Sequence, residues 1–363
     1  MGYKYLVYLF SFLNFFPVFS YANQNYNNFV TEQAWSDLEE LGFWLFADKR
    51  LSGNNQISCM SCHVPQLGWT DGLETARGFN NKKLKLRTPT LIGLELQEEF
   101  GHKFFWNGRA KNLEDQALMP IQNPEEMNQD MEELLQELTK LRVYRLKFAK
   151  AFGDDQISAQ RIAKALSAFE RTLSSPSLKI PEPPSENAEA VIEFLNSNDP
   201  LNYKYDNGYV EVSRGKILFD THCAQCHQIV TNLSDGNFHD IGLQTQDIGL
   251  AQTLDKKNAF EYRTHRFKHK TPTLWGVAQR GGPYMHNGSL KTLRDVLEHY
   301  NKGGSFNSPS ERKMRLNTLA PAINPLELSN EELDDLEEFI TEAFKMEFNA
   351  YPLPDFLQED QNE

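Results

Sequence analysis

The chain has 363 residues, enough for two domains of ordinary size, each with its own buried core. It carries 37 basic and 50 acidic residues, and this net charge of −13 argues against nucleic acid as a partner. An acidic surface favours protein partners of complementary charge, although solubility is the simpler reason for it.

The first residues have the pattern of an export signal. Lys4 precedes an apolar run from Tyr5 to Ser20, and Ser20 and Ala22 are the small residues expected before a cleavage point. The apolar run is shorter than the roughly 20 residues that a membrane-spanning helix needs. We therefore predict that residues 1–22 are a cleaved signal peptide, and that the mature protein is periplasmic without a stable membrane span. An uncleaved anchor is the alternative.

All four cysteines belong to two Cys-x-x-Cys-His motifs. The first motif is Cys59, Cys62 and His63, and the second is Cys223, Cys226 and His227. In this motif the thiols form thioether bonds to haem vinyl groups, and the adjacent histidine binds the iron. Disulfides, or a single zinc site made by all four thiolates, would also use paired cysteines. Neither alternative explains the two histidines, so the motifs predict two covalently bound haem c groups with these histidines as proximal ligands.

The segments around the two motifs resemble each other, which indicates a duplicated haem-binding unit. Before the motifs, residues 42–46 match residues 215–219. Three further pairs follow the motifs in the same order: residues 87–93 with 270–276, residues 106–108 with 286–288, and Leu113 with Leu293.

Helical patterns dominate elsewhere, and no convincing run of alternating strand residues occurs. Apolar residues recur at helical spacing in two stretches: Ile162, Leu166, Phe169 and Leu173, and, after a capping box from Ser329 to Glu332, Leu333, Leu336, Ile340 and Phe344. Residues 174–200 contain four prolines among polar residues and are interpreted as a linker. We predict an all-α fold with two tandem cytochrome c-like domains, residues 23–173 and 201–363, each with one covalently bound haem c.

The second axial position of each iron decides the function, because an open iron can bind and cleave peroxide whereas a filled one only carries electrons. Counting 14 residues onward from the aligned pair Trp106 and His286 gives Pro120 in the first unit and Tyr300 in the second. Proline offers no side-chain ligand, whereas a phenolate can bind ferric iron. The first haem is therefore predicted to be open and the second closed by Tyr300. A packed aromatic role for Tyr300 is the alternative, and the rival ligands are Met285, which we expect to turn into the core, and Met314.

The sequence resembles the bacterial di-haem cytochrome c peroxidase and MauG superfamily over nearly all of the mature chain. Besides both haem motifs, the resemblance rests on residues 87–90, 105–110, 113–116, 123–127 and 283–288. It implies that Trp106 lies between the haems as an electron relay, and that Gln116 and Glu126 line the distal face of the first haem. Glu126 would then act as the acid/base that moves a proton between the peroxide oxygens, with Gln116 positioning it or the peroxide. Without the resemblance, Glu126 would be interpreted as a solvated acid and Trp106 as a core residue.

Two features separate the branches of this family. Many of the peroxidases carry a histidine in the loop after the first motif and a methionine ligand on the second haem. Here the loop of residues 72–85 has no histidine, and Tyr300 occupies the methionine position, as in MauG-type proteins. The family also implies a calcium ion between the domains, for which Asn80 and residues 281–283 are the nearest candidates.

Three functions remain open from the sequence. The leading interpretation is a periplasmic peroxidase that reduces hydrogen peroxide with electrons from a small redox protein, either a cytochrome c or a copper protein. The second is a MauG-like enzyme that uses peroxide or oxygen to oxidise side chains of a partner protein. The third is a non-catalytic electron-transfer cytochrome in which both irons have six ligands.

Overall fold

The computed structural model describes residues 35–175, 204–205, 208–209, 214–228, 231–348 and 357. The predicted signal peptide, residues 1–22, and residues 176–200 of the predicted linker lie outside the described residues. Asp37–Glu363 forms one compact unit. The domain boundaries proposed from the sequence stay predictions.

The described residues are rich in helix, as predicted. Their twelve α-helices are α1 (Asp37–Ala47), α2 (Cys59–Cys62), α3 (Leu94–Glu99), α4 (Leu113–Gln122), α5 (Met131–Lys140), α6 (Arg142–Phe152), α7 (Ala159–Arg171), α8 (Arg214–His222), α9 (Ala259–Thr264), α10 (Leu293–Asn301), α11 (Pro309–Arg315) and α12 (Asn330–Ala343). The predicted capping box is present, because the Ser329 hydroxyl accepts a hydrogen bond from the Glu332 amide and the Glu332 carboxylate accepts one from the Ser329 amide.

The structure also contains strands that the sequence did not predict. β1 (Lys204–Tyr205) pairs antiparallel with β2 (Gly208–Tyr209), and β3 (Phe238–His239) pairs antiparallel with β4 (His269–Lys270). Each strand has only two residues, which is too short to give an alternating pattern in the sequence.

Each half of the chain contains the same contact between two helices. In the first half, residues 37–175, a Cβ atom added at Gly42 of α1 would lie 1.9 Å from the carbonyl oxygen of Ala165 in α7. In the second half, residues 214–348, a Cβ atom at Gly215 of α8 would lie 2.1 Å from the carbonyl oxygen of Asp335 in α12. Only glycine allows backbones to approach this closely. The duplicated segments 42–46 and 215–219 therefore make equivalent crossings.

An aromatic cluster packs beside each crossing. In the first half, Phe46 lies 5.2 Å from Phe169 and 5.9 Å from Trp69 between ring centroids. In the second half, Phe219 lies 5.5 Å from Phe339 and 5.0 Å from Phe344. Such ring pairs add to the free energy gained by burying their surface. They anchor α1 and α8, the helices that lead into the two motifs.

The halves are joined by a reciprocal pair of backbone hydrogen bonds. The amide of Arg87 donates to the carbonyl of His286 at 2.8 Å, and the amide of Lys270 donates to the carbonyl of Trp106 at 2.9 Å. Arg87 aligns with Lys270 and Trp106 aligns with His286 in the sequence repeat. The two bonds are therefore equivalent, and they hold the repeated segments against each other.

None of the helices in the described part of the chain combines the length and apolar character that crossing a bilayer requires.

The Gly215 crossing should be essential for stability. Replacing Gly215 by alanine places a methyl group against the α12 backbone, which should lower the free energy of unfolding by about 1–3 kcal/mol. The exposed residue Ile217, on the same helix, provides the control, because Ile217→Ala should change stability by no more than about 0.5 kcal/mol. Denaturant titration of the haem-loaded protein measures both. If Gly215→Ala were as stable as the unmodified chain, the close approach of α8 and α12 at Gly215 would be contradicted.

Candidate functional site

One cavity of about 1540 Å³ is lined by residues of both halves. Pockets for a single small ligand measure about 300–1,000 Å³, so this cavity has room for a larger occupant. Its wall contains all the residues predicted to attach haem, bind iron at the axial positions or act in catalysis, namely Cys59, Cys62, His63, Trp106, Gln116, Glu126, Cys223, Cys226, His227 and Tyr300.

The two motif histidines are oriented in the same way. His63 Nδ1 lies 3.0 Å from the carbonyl oxygen of Trp69, and His227 Nδ1 lies 2.8 Å from that of Leu233. Donating Nδ1–H to a backbone carbonyl fixes the tautomer and leaves Nε2 free to bind a metal. Burial lowers the pKa of both imidazoles, which favours the neutral form that a metal ligand needs.

The cysteine geometry does not match the alternatives to haem attachment. All four cysteines are free thiols, so the structure contains no disulfide between them. In the described part of the chain the one cluster of potential metal ligands consists of Cys226, Asp235 and His239, so the four thiols do not form a zinc site. Burial raises the pKa of Cys62 and Cys223 to about 12, which keeps these thiols protonated.

The charges of the cavity wall fit a bound haem. Lys270 is buried, and its ammonium donates to the neutral side-chain oxygen of Gln97. No carboxylate pairs with it among the described residues, and burial lowers its pKa to about 7. Arg87, its repeat equivalent, has a buried Nε without a hydrogen-bond partner. Haem carries two propionates, and anionic groups entering this cavity would satisfy both cations.

The predicted acid/base lies in a small polar group of the first half. Glu126 Oε1 accepts hydrogen bonds from Asn123 Nδ2 at 2.9 Å and from Arg109 Nη2 at 3.3 Å. Burial raises the pKa of the Glu126 carboxyl, and the positive charge of Arg109 opposes this shift. Gln116 is buried, and its Oε1 has no hydrogen-bond partner. The structure thus places in the cavity wall a carboxyl, from Glu126, and an amide oxygen without a hydrogen-bond partner, from Gln116.

Pro120 and Tyr300 occupy equivalent places on equivalent helices. Each stands seven residues after the first residue of its helix, Leu113 of α4 or Leu293 of α10, and both line the cavity. Burial is the main cause that raises the pKa of the Tyr300 phenol far above its usual value, and the nearby motif cysteines add to it.

The rival methionines differ from each other in position. Met314 is 76% exposed on α11 and does not line the cavity, which excludes it as a ligand in this structure. Met285 is half-buried and lines the cavity, and its turn into the core stays a prediction. Its backbone is in the left-handed region, with φ of 69°.

Trp106 begins a row of rings that the sequence did not predict. Its Nε1–H donates to the carbonyl of Arg87 at 2.8 Å, and its ring lies edge-on to His286, with centroids 6.4 Å apart. His286 in turn stacks on His269 at 3.5 Å, and His269 Nε2 lies 2.9 Å from an oxygen of Asp247. His269 belongs to no sequence motif, so its stacking on His286 could not be predicted from the sequence.

Asn80 does not line the cavity. Its side-chain oxygen accepts a hydrogen bond from Asn54 Nδ2 at 3.1 Å, and its backbone has φ of 52°. The assignment of Asn80 as a calcium ligand stays a prediction.

Comparison with known proteins agrees with this geometry. Residues 36–182 match the family model described as di-haem cytochrome c peroxidase. The chain is 37% identical over 318 residues to the methylamine utilization protein MauG of Methylorubrum extorquens, covering 86% of this chain and 80% of that protein. It is 31% identical over 270 residues to the cytochrome c551 peroxidase of Nitrosomonas europaea, covering 72% of each.

Solved structures share the fold. A MauG-like protein associated with microbial copper homeostasis aligns with a TM-score of 0.65 and 25% identity, over 86% of this chain and 90% of that one. The di-haem peroxidase BthA of Burkholderia thailandensis aligns with a TM-score of 0.63 and 19% identity, over 88% of this chain and 91% of that one. The chain therefore belongs to the di-haem cytochrome c peroxidase and MauG family and is a haem oxidoreductase, and membership of this family implies two c-type haems.

Proposed function

We propose that the protein is a periplasmic di-haem peroxidase that reduces hydrogen peroxide with electrons from a small redox protein, a cytochrome c or a copper protein. The two haems would occupy tandem cytochrome c-like domains, residues 23–173 and 201–363. His63 would bind the iron of the peroxide-reducing haem, and His227 that of the electron-input haem. The observation that carries the proposal is the pair of equivalent positions Pro120 and Tyr300.

This pair gives the two halves different chemistry. Pro120 has no side-chain donor atom, so α4 would offer no ligand to a haem held by His63, and peroxide could bind there. Tyr300 offers a phenol oxygen at the equivalent place in the second half, where it could serve as a second ligand to a haem held by His227. Gln116 and Glu126 lie in the same half as Pro120, where peroxide would bind and a proton-transferring group would be needed.

The bound haem would supply the redox-active iron, and the chain's own residues would handle the protons. Reduction of one peroxide to two waters consumes two electrons and two protons. The Glu126 carboxylate takes a proton from the inner peroxide oxygen and returns it to the leaving oxygen. Its raised pKa makes the carboxylate a stronger base and so eases the uptake of the proton, and the hydrogen bonds from Asn123 and Arg109 hold the carboxylate in place.

Trp106 is suited to carry electrons between the halves. It lines the cavity together with both motif histidines, and its indole is fixed by the bond to Arg87. A fixed aromatic ring between two redox centres shortens the distance that each electron must cross.

A second candidate is a MauG-like enzyme in which side chains of a partner protein replace the small redox protein as electron source. Tyr300 favours it, since this residue stands where MauG-type proteins have their tyrosine, and so does the similarity to MauG of two species, at 37% and 34% identity. Steady turnover of peroxide with reduced cytochrome c would favour the first candidate. A single oxidation event without steady turnover would favour the second.

Electron paramagnetic resonance of the ferric, haem-loaded protein tests the proposal. We expect one high-spin and one low-spin haem, with the high-spin signal lost after one equivalent of hydrogen peroxide. Two low-spin signals that are indifferent to peroxide, even after partial reduction, would make the protein an electron carrier instead.

Replacing Glu126 by glutamine should remove the proton transfer but keep the shape of the site. We expect kcat for peroxide reduction to fall by about 10²–10⁴-fold with both haems retained. Glu125→Gln is the matched control, because the neighbouring carboxylate is 52% exposed and paired with Lys82. If both variants lose activity equally, Glu126 has no special part in the reaction.

Replacing Tyr300 by phenylalanine should remove the second axial ligand of the second iron. The low-spin signal and the visible spectrum of that haem should change, while the first haem stays high-spin. Tyr284→Phe is the control, since Tyr284 also lines the cavity but its hydroxyl donates to the carbonyl of Val277 at 3.4 Å. An unaltered spectrum in Tyr300→Phe would eliminate the phenol as ligand.

A further inference from the structure

Glu170 of α7 is a buried acid for which the proposed peroxidase reaction has no use. Its side chain lines the haem cavity, and the residue is only 4% exposed. Its Oε2 is buried without a hydrogen-bond partner. An unpaired polar atom in this position costs free energy, so packing alone does not explain its presence.

The repeat allows Glu170 to be compared with the residue at the equivalent position of the second half. Phe169 contacts Gly42 in the first half as Phe339 contacts Gly215 in the second. The next residue along each helix is Glu170 in α7 and Ile340 in α12, and both line the cavity. Ile340 is also buried, at 5% exposure. The second half therefore fills the equivalent position with a hydrocarbon side chain, and the carboxyl is particular to the first haem.

Glu170 also differs from the other acids of the cavity wall. Glu125 is paired with Lys82, Glu126 with Arg109, and Asp247 with His269. Within the described part of the chain, no basic group forms an ion pair with Glu170. Among the acids of this wall, Glu170 is therefore the one whose negative charge only a group bound in the cavity could compensate.

The charged groups packed around Glu170 do not neutralise it. Arg171, its neighbour on α7, donates to Glu98 of α3 at 2.8 Å and to Glu114 of α4 at 2.9 Å, and so is already paired. From α2, Glu170 faces the uncharged Cys59. The buried residues that α1 contributes are apolar: Leu41, Gly42, Phe43, Leu45, Phe46 and Ala47. Burial is the main cause that raises the pKa of Glu170 to about 8.

We propose that Glu170 is a redox-linked proton site of the first haem, which binds one proton when that haem accepts one electron and releases it on oxidation. The balanced step is one electron to the iron, supplied by the second haem or an added reductant, and one proton from solvent to the Glu170 carboxylate. The physical reason is electrostatic. A buried carboxylate is stabilised by the positive charge of the ferric haem, and reduction removes one unit of that charge.

The linkage has a definite sign. Because the carboxyl holds its proton more tightly beside the reduced haem, lowering the pH favours reduction and raises the midpoint potential. Between the Glu170 pKa values of the oxidised and reduced protein, the potential should fall by up to about 59 mV per pH unit, which corresponds to one proton per electron. Outside that interval the slope should be flat.

Spectroelectrochemical titration of the haem-loaded full chain between pH 6 and 10 tests this. We expect the first haem to show the slope in the unmodified protein and to lose it in Glu170→Gln. The second haem provides an internal standard, since its pH dependence should be the same in both proteins. Glu125→Gln is the matched control, because it removes another acid of the cavity wall, one paired with Lys82, and should retain the slope. A slope that survives in Glu170→Gln, or none in the unmodified protein, would overturn the proposal.

Glu170→Asp is a second variant that keeps the test valid if Glu170→Gln fails to bind haem. It keeps a carboxyl, so the slope should remain, and redox-difference infrared spectra should show the protonated carboxyl band appear on reduction at a frequency different from that of the unmodified protein. An unmodified protein without such a band would also overturn the proposal. None of these measurements uses peroxide, so their failure is distinct from failure of the proposed peroxidase function.

Discussion

The reciprocal pair of hydrogen bonds between the halves is the constraint on which the site depends. One bond runs from Arg87 to the carbonyl of His286 and the other from Lys270 to the carbonyl of Trp106. All four residues belong to the repeat, so the same local backbone conformation, present once in each half, forms both hydrogen bonds. The same bonds fix the backbone of Trp106 at the cavity wall and bring two cations to that wall. Loss of either bond would change the separation of the motifs and the orientation of the indole together.

Under the proposed function, the two haems are distinguished at the positions where the two halves of the repeat differ. The backbone contacts are equivalent in both halves, as Gly42 and Gly215 show. Side chains at equivalent positions of the repeat nevertheless differ. Pro120 in the first half corresponds to Tyr300 in the second, and Glu170 corresponds to Ile340. Under the proposed function, the first difference would give one haem an open and the other a filled axial position, and the second would place a buried carboxyl beside one haem and a hydrocarbon beside the other. Two similar units can in this way hold the same cofactor and use it for different steps.

Local features were predictable from the sequence and distant partnerships were not. The haem motifs are contiguous, and the capping box at Ser329 spans one turn, so both were visible as patterns. The repeat also placed Tyr300 on the cavity, because equivalent helices begin at Leu113 and Leu293. The stacking of His269 on His286 depends on the short pairing of β3 with β4, which has no sequence signature. The lack of a partner for Glu170 could not be predicted either, since burial and the pairing of Arg171 with other acids are properties of the folded chain.

The charges of the cavity link folding to the cofactor. Lys270 and Arg87 are removed from water without an anionic hydrogen-bond partner among the described residues, and a buried charge in this condition is costly. Haem propionates would supply the missing anions, so the folded cavity is more stable with its cofactor than without it. Glu170 places a negative group in the same cavity, lining it together with Cys59. The wall thus presents cations without anionic partners and one acid without a cation, and the bound cofactor, with its anionic propionates and its positively charged ferric centre, meets both needs.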